Sequence, residues 1–426
     1  MNKLNVLELF AGVGGFRVGL ENSNSEFFHT KWSNQWEPSR KSQDAFEVYN
    51  YHFPESENIN ENIEEISNEQ FEKMNADLIV GGFPCQDYSV ARSKKHELGI
   101  EGKKGVLFWQ IIRAVNHIKP KYLILENVDR LLKSPSKQRG RDFAVMLTAF
   151  NELNYSVEWR VINAADYGRS QRRRRVFFFI YRNDTNFALK IDGKFVDDKK
   201  KLFDESIYDD YIFNEGLFAK QFPIKPFPNK SRHASYILSS DIVEVSNDFT
   251  GTVWNTGVMR YGRYFTIDTE PATTESPMPL RAILQDSKKI EEKYFLNDLS
   301  KLEKFKKLRD AKKINRTSQD GHVYVYSEGA MSPFDDIDLP GRTMLTSEGS
   351  INRSTHLLKI QDRYRLITPI EAERLQDFPD DWTKYKKQKD GSIVEVSDRM
   401  RMFFMGNALV TEIVKRIGDG LQDIET

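Results

Sequence analysis

The chain has 426 residues, 39% of them hydrophobic, and its 63 lysines and arginines balance 63 aspartates and glutamates. That apolar content supplies well-packed cores, and the length suits one large domain and a smaller one. A single cysteine excludes an intrachain disulfide framework and a thiolate-rich zinc site and fits a reducing compartment, while no run approaches the roughly 20 apolar residues of a membrane span; a soluble, cytoplasmic protein is expected.

The opening "LNVLEL" (4–9) reads as a buried strand, and "FAGVGGF" after it places a glycine-rich turn before a helix. Glycine permits positive φ and close backbone approach, and a helix N-terminus offers amide hydrogens to a ligand. The same turn also serves purely structural ends, and the GxGxxG spacing of dinucleotide sites is absent. "ADLIV" (76–80) is the next strand and runs into "GGFPCQDYS" (81–89). Pro84 pushes Phe83 into an extended conformation, so Cys85 stands beyond a strand's carboxyl end, where open α/β sheets bind ligands. A thiol there is poised for attack if nearby cations favour the thiolate; a small buried hydrophobe is the alternative, against which Gln86, Asp87 and Ser89 argue.

Charge changes at the same place. Residues 1–80 carry 6 basic and 14 acidic side chains, and residues 81–180 carry 19 basic and 9 acidic, so a net −8 gives way to +10. A polyanion would seat on the second segment, although ordinary solvated faces give the same counts.

"GVLFWQIIRAVNHI" (105–118) and "GRDFAVMLTAFNEL" (140–153) have helical periodicity; "KYLILE" (121–126), "SVEWRVI" (156–162) and "RVFFFIY" (175–181) are further strands. Glu126 falls at a strand end on the same sheet edge as Cys85, where a shielded carboxyl can hold and donate a proton, or serve as an ion-pair partner or helix cap. In "QRRRR" (171–175), alternation sends Arg173 and Arg175 to one face and Arg172 and Arg174 to the other, and paired guanidinium forks suit phosphate and base carbonyl oxygens. The alternation implies an α/β fold, a doubly wound and mostly parallel sheet, over 1–183. From 184 the pattern breaks down: "IDGKFVDDKKKLFDES" is aperiodic, "TIDTEPATTESPMPLRAILQD" is rich in turns, and 288–313 is a lysine-heavy helix candidate. Residues 184–335 therefore read as an inserted, irregular domain. Over 336–426 order returns, with a helix starting near Pro369, Glu371 and Glu373 and an amphipathic helix after "FFMGNALV" (403–410).

The order of "FAGVGG", "GGFPCQ", "ENV", "QRRRR", "RLQDFP" and "GNALV" resembles that of the cytosine carbon-5 DNA methyltransferases of bacterial restriction and modification systems, over 4–180 and again from about 341. The resemblance implies a Rossmann-like S-adenosylmethionine-dependent fold and transfer of a methyl group to a cytosine flipped out of duplex DNA. Cys85 matches the nucleophile that adds to carbon 6, Glu126 the carboxyl that protonates nitrogen 3, and Arg173 and Arg175 the arginines that hold the base carbonyl, the carboxylate and a phosphate. The stretch from Gln86 to Gly105 is similar to the loop that closes over the extruded base: Lys94, Lys95, Lys103 and Lys104 would meet phosphates, and Gln86 and Ser89 the vacated stack. No metal is implied.

For S-adenosylmethionine the resemblance implies Phe10, Gly12, Val13, Gly14 and Gly15, with Trp36, Ile63, Pro84, Leu107, Asn407 and Ala408. Two positions depart from the family pattern: Gln35 replaces the Glu that binds the ribose hydroxyls, and Asn62 replaces an Asp. Both amides accept hydrogen bonds, and Glu37 is an alternative to Gln35. The 184–335 segment occupies the place of the target recognition domain, and within "NTGVMRYGRYFTI" (255–267) Arg260 and Arg263 are candidates for the forked contact to guanine, with phosphate or a surface carboxylate as the alternative. The implied partners are double-stranded DNA, a cognate restriction endonuclease and a possible second methylase subunit. Competing readings are a tRNA cytosine-5 methyltransferase and a noncatalytic DNA-binding regulatory subunit.

Overall fold

The computed structural model describes residues 3–84, 107–195, 205–228, 232–317 and 321–425. Seven strands, β1 (Leu4–Leu9), β2 (Phe28–Asn34), β3 (Glu57–Ile59), β4 (Leu78–Gly82), β5 (Tyr122–Val128), β6 (Tyr155–Asn163) and β7 (Arg174–Arg182), lie side by side as β3-β2-β1-β4-β5-β7-β6. β1 pairs in parallel with β2 and β4, β2 with β3, and β4 with β5; β7 alone runs against its neighbours β5 and β6. Both faces are covered, and the period-two alternation of each strand divides its side chains between two cores. Leu7, Leu9, Leu123, Leu125, Phe178 and Ile180 enter one; Leu4, Val6, Tyr122, Ile124, Phe177 and Phe179 enter the other.

Helices α1 (Gly15–Asn24), α2 (Asp44–His52) and α3 (Asn68–Lys73) precede β4, and α4 (Leu107–Ile118) and α5 (Arg141–Glu152) follow it. Phe108, Ile111, Ala114 and Val115 of α4 bury one apolar stripe in the first core. On the opposite face α1 packs against the terminal helix Thr411–Glu425, whose Ile413, Val414, Ile417 and Leu421 are buried at about 1.5–3 kcal/mol each. Helix Pro369–Leu375 starts where the sequence places it: Thr368 Oγ1 accepts from Glu371 N, Glu371 Oε2 accepts from Thr368 N, and Arg365 pairs with Glu371 out of water.

Two things differ from the sequence expectation. β2 and β3 were not anticipated, because His29 and Lys31 interrupt the apolar pattern of β2 and β3 has three residues. The chain also does not leave the sheet at residue 184. Helix Asn186–Phe195 and the aromatic residues Tyr208, Tyr211, Phe218 and Phe222 pack into the second core. Strands Thr256–Arg260, Arg263–Ile267 and His233–Ile237 then extend the sheet antiparallel from β6. The irregular part of the inserted stretch begins only after Ile267, with short 3-10 turns, helix Leu299–Arg309 and hairpin Lys312–Thr317/Val323–Glu328.

A β-carbon at Gly19 of α1 would lie 2.5 Å from Val414 Cβ and 2.7 Å from the Thr411 carbonyl. Gly19→Ala should therefore force the terminal helix away and cost about 1–3 kcal/mol in denaturant unfolding, despite alanine's better helix propensity.

Candidate active site

β1 leads left to β2 and β3, and the chain then crosses to β4 and β5 on the right, so the carboxyl ends of β1 and β4 flank a topological switch point. A cleft of about 670 Å³ opens there. Its floor is the turn after β1. Phe10, Gly12 and Gly14 all take positive φ, at 53°, 55° and 92°, and Phe10 holds that conformation without glycine's freedom. Ala11 N donates to Asn34 O at 3.1 Å, Gly12 N to Gln35 Oε1 at 2.8 Å, and Trp382 Nε1 to Val13 O at 2.8 Å. Gln35 thus uses its side-chain oxygen to seat the glycine turn, and the "DFPDDW" segment braces the turn from behind. Gly12, Val13 and Gly15 line the cleft, while Gly14 instead faces Tyr49 and Phe53.

The left wall holds Trp36, Glu37, Asn62 and Ile63. Glu37 Oε1 lies 3.6 Å from Arg40 Nε, but its buried Oε2 has no hydrogen-bond partner among the described residues, and burial pushes its carboxyl pKa up. Arg40 lies over the ring of Phe403 at 4.2 Å, closing the wall against the C-terminal segment. Asn62 Oδ1 accepts from Glu64 N at 3.3 Å. Behind the floor Glu8 is buried with Tyr49 Oη donating to its Oε2 at 3.0 Å and with Oε1 unpartnered among the described residues. Burial raises its pKa from 4.5 to about 7.

The right wall carries the other residues singled out in the sequence. Pro84 and Leu107 line the cleft on either side of residues 85–106; Cys85, Gln86, Ser89, Lys94, Lys95, Lys103 and Lys104 lie outside the described residues. Asn127 donates from Nδ2 to Phe83 O at 3.0 Å, fixing the backbone at Phe83 against the end of β5. Glu126 is half-buried on the cleft, its Oε1 2.8 Å from Arg175 Nε, with 13% and 16% of the two side chains exposed. The alternation read from "RRRR" holds: Arg172 and Arg174 face water, Arg173 is buried and Arg175 half-buried.

Two assignments are corrected. Arg173 donates from Nη1 to Met344 O at 3.0 Å and from Nη2 to Gly406 O at 3.1 Å and to Ala408 O, so its amino groups are spent on backbone. Burial and the neighbouring Arg175 push its pKa down to about 9. It holds the chain around Asn407 on the cleft, which Arg175 lines beside it. Arg260 is fully buried, ion-paired with Asp192 and stacked near Tyr181 and Tyr261. Its strand pairs with the start of β6, Met259 opposite Val157, which puts Arg260 and its cross-strand neighbour Arg263 at the end of the sheet remote from the cleft. Neither is placed to read DNA held there. Glu8 and Asn127 were missed from the sequence; the signal available was a charged or amide residue inside an otherwise apolar strand end.

A family model, C-5 cytosine-specific DNA methylase, matches residues 4–423. The chain belongs to that family. It is 52% identical to Type II methyltransferase M.Sau3AI of Staphylococcus aureus over 426 residues, 100% of this chain and 97% of the relative. It is 35% identical to Type II methyltransferase M.HhaI of Haemophilus parahaemolyticus over 183 residues, 43% of this chain and 50% of the other. Among solved structures, S. pombe Dnmt2 methyltransferase superposes with a TM-score of 0.58 at 13% identity, covering 100% of both chains. A putative DNA modification methyltransferase from an E. coli prophage gives 0.52 at 19% identity over 99% of each chain. These two share the fold. The protein is a DNA cytosine-5 methyltransferase, the activity the ordered motifs imply.

Glu8 keeps its proton to about pH 7 in the folded chain but only to about 4.5 when unfolded. Folding takes up a proton in that window, so stability falls as pH rises through it. Glu158, also buried and raised to about 7, adds its own slope. The difference in melting temperature between Glu8→Gln and the parent should therefore grow in the variant's favour from pH 4.5 to 7; a difference that stays flat refutes the assignment.

Proposed function

We propose that the cleft binds S-adenosylmethionine on its left and an extruded cytosine on its right, and that the protein modifies duplex DNA as the methylase half of a Type II restriction and modification system. The single observation that carries this is the juxtaposition of the half-buried Glu126–Arg175 pair with Pro84 across one cleft from Trp36 and an unpartnered carboxylate oxygen. The cofactor fits what is present. Glu37 Oε2 is the acceptor left open for the ribose hydroxyls, since Gln35 Oε1 is already engaged by Gly12. Trp36 offers a ring to the adenine, Ile63 an apolar edge, Phe10 and the glycine turn a close backbone floor, and Glu8 a buried carboxyl behind that floor. When bound, the cofactor supplies an electrophilic methyl group.

On the base side, the sulfur of Cys85 bonds to carbon 6 while the ring's 5,6 electrons move to carbon 5, making it nucleophilic. Glu126 delivers a proton to nitrogen 3 as charge accumulates, and Arg175 orients that carboxyl and faces the base carbonyl. After transfer, a base, commonly water, removes the carbon-5 proton, the electrons return to the ring and the thiolate leaves. Asn127 and Arg173 act as positioning residues.

Bisulfite sequencing of DNA from a host expressing the protein should show 5-methylcytosine at one recurring sequence. Cys85→Ser should abolish it and should fail to form the denaturation-resistant adduct that the parent forms with 5-fluorocytosine DNA; methylation by the serine variant would sink the covalent mechanism. Glu37→Gln should weaken S-adenosylmethionine binding by roughly 10- to 150-fold in calorimetry, as for loss of a hydrogen bond to a charged group. Unchanged affinity would return the ribose contact to Gln35.

A further inference from the structure

With Arg260 and Arg263 buried or remote, another element must read the target. Hairpin Lys312–Thr317/Val323–Glu328 is a two-stranded ribbon outside the main sheet, and its two faces differ. On one, Lys312, Ile314 and Arg316 stand opposite Glu328, Tyr326 and Tyr324. That face is partly engaged with itself: Arg316 stacks 3.9 Å over the Tyr326 ring and Tyr326 Oη donates to Glu328 Oε1 at 2.9 Å, while Ile314 and Tyr324 are each 42% exposed. On the other, Lys313, Asn315 and Thr317 stand opposite Ser327, Val325 and Val323. All six are exposed, Val323 to 62% and Val325 to 60%, and none of their side chains makes a hydrogen bond or ion pair among the described residues.

Isolated two-stranded hairpins are marginal in water, and two β-branched aliphatic side chains left bare on one gain nothing from solvent. The root, by contrast, is fixed. Arg353 donates to Leu308 O at 2.9 Å, to Asp310 O at 2.8 Å and to Gly329 O, holding both ends of the ribbon. Arg309 and Arg342 converge on Asp335 just behind it, at 2.9 and 2.6 Å. From there the connection to the catalytic sheet is short: Arg172 N donates to Gly341 O at 2.8 Å and Thr343 Oγ1 to Arg172 O at 2.6 Å. Residues 299–317 carry eight lysines and arginines against two acids, the sign that a phosphate backbone requires.

We infer that this ribbon enters the DNA major groove with the Asn315 face against the bases and reads an A·T pair of the target site. The inference rests on the protein acting on duplex DNA. A two-stranded ribbon fits the roughly 12 Å major groove. Asn315 presents an amide whose oxygen and nitrogen match adenine N6 and N7, and Val325, directly opposite it, and Val323 supply apolar surface for the thymine methyl. Lys313, at the root end of the same face, meets phosphate.

The test compares binding of the parent, Asn315→Ala and Lys313→Ala to the duplex mapped by bisulfite sequencing and to each of its single-base variants, at several salt concentrations. Asn315→Ala should lose roughly 5- to 150-fold affinity for the cognate duplex and relax discrimination at one A·T pair. Replacing that adenine by 7-deazaadenine should weaken the parent and leave Asn315→Ala unaffected. Lys313→Ala should weaken all duplexes alike and flatten the salt dependence. Both positions are exposed, so melting temperatures should match the parent's. Asn315→Ala retaining full discrimination at every position overturns the inference. Because the readout is binding, it is independent of methyl transfer: a parent that discriminates sites without methylating them would overturn the catalytic reading and leave this one standing.

Discussion

One buried guanidinium joins the two separated stretches of the catalytic unit. Arg173 immediately precedes the last strand of the motif-bearing half, and its fork reaches Met344, Gly406 and Ala408, main-chain carbonyls more than 170 residues away in sequence. An uncompensated charge inside a protein is costly, and the depressed pKa of Arg173 records that cost. Charge-assisted bonds to several carbonyls offset it at about 1.5–3 kcal/mol each. Beside it Gln171 donates to Leu375 O and accepts from Met344 N. Because these contacts all go to backbone, they fix the path of the C-terminal chain past the cleft whatever side chains it bears there.

The cleft that results is chemically divided. Its left side combines an aromatic ring with a buried carboxyl oxygen on each of Glu37 and Glu8 that has no hydrogen-bond partner among the described residues. Its right side holds one carboxyl already matched by a guanidinium, Glu126 with Arg175. The first arrangement suits a cationic, hydroxyl-bearing ligand; the second suits a polar ring on which charge appears transiently. Asn127 ties them to the end of β4 by donating to the Phe83 carbonyl, so the strand that presents the carboxyl also sets where the chain leaves the sheet ahead of Cys85.

The parts legible in sequence were those that local physics dictates. Buried strands announce themselves as apolar runs, Pro369 and Glu371 mark a helix start, and the alternation of four arginines predicted which would face inward. Ordered short motifs pointed to the cleft because they fall at strand ends, helix ends and turns, where backbone geometry admits few residues. What stayed hidden depends on partners distant in the chain. β2 reads as polar because only one of its faces is covered at His29 and Lys31. Arg260 looks like a free cation until Asp192 is found beside it, and Arg173 looks like its neighbour Arg175 until three carbonyls from the chain's far end are in place. Charge in a sequence shows that a fork exists, not what it grips.

The clamp at the root of the exposed hairpin has an evolutionary reading. Arg353 grips carbonyl oxygens of Leu308, Asp310 and Gly329, groups that every amino acid supplies. The ribbon's outward side chains can therefore change without loosening its attachment, and a change of length at its tip leaves the grip intact. Drift in a few surface positions then leaves stability, set elsewhere, untouched. A surface held in this way can vary without the protein having to refold.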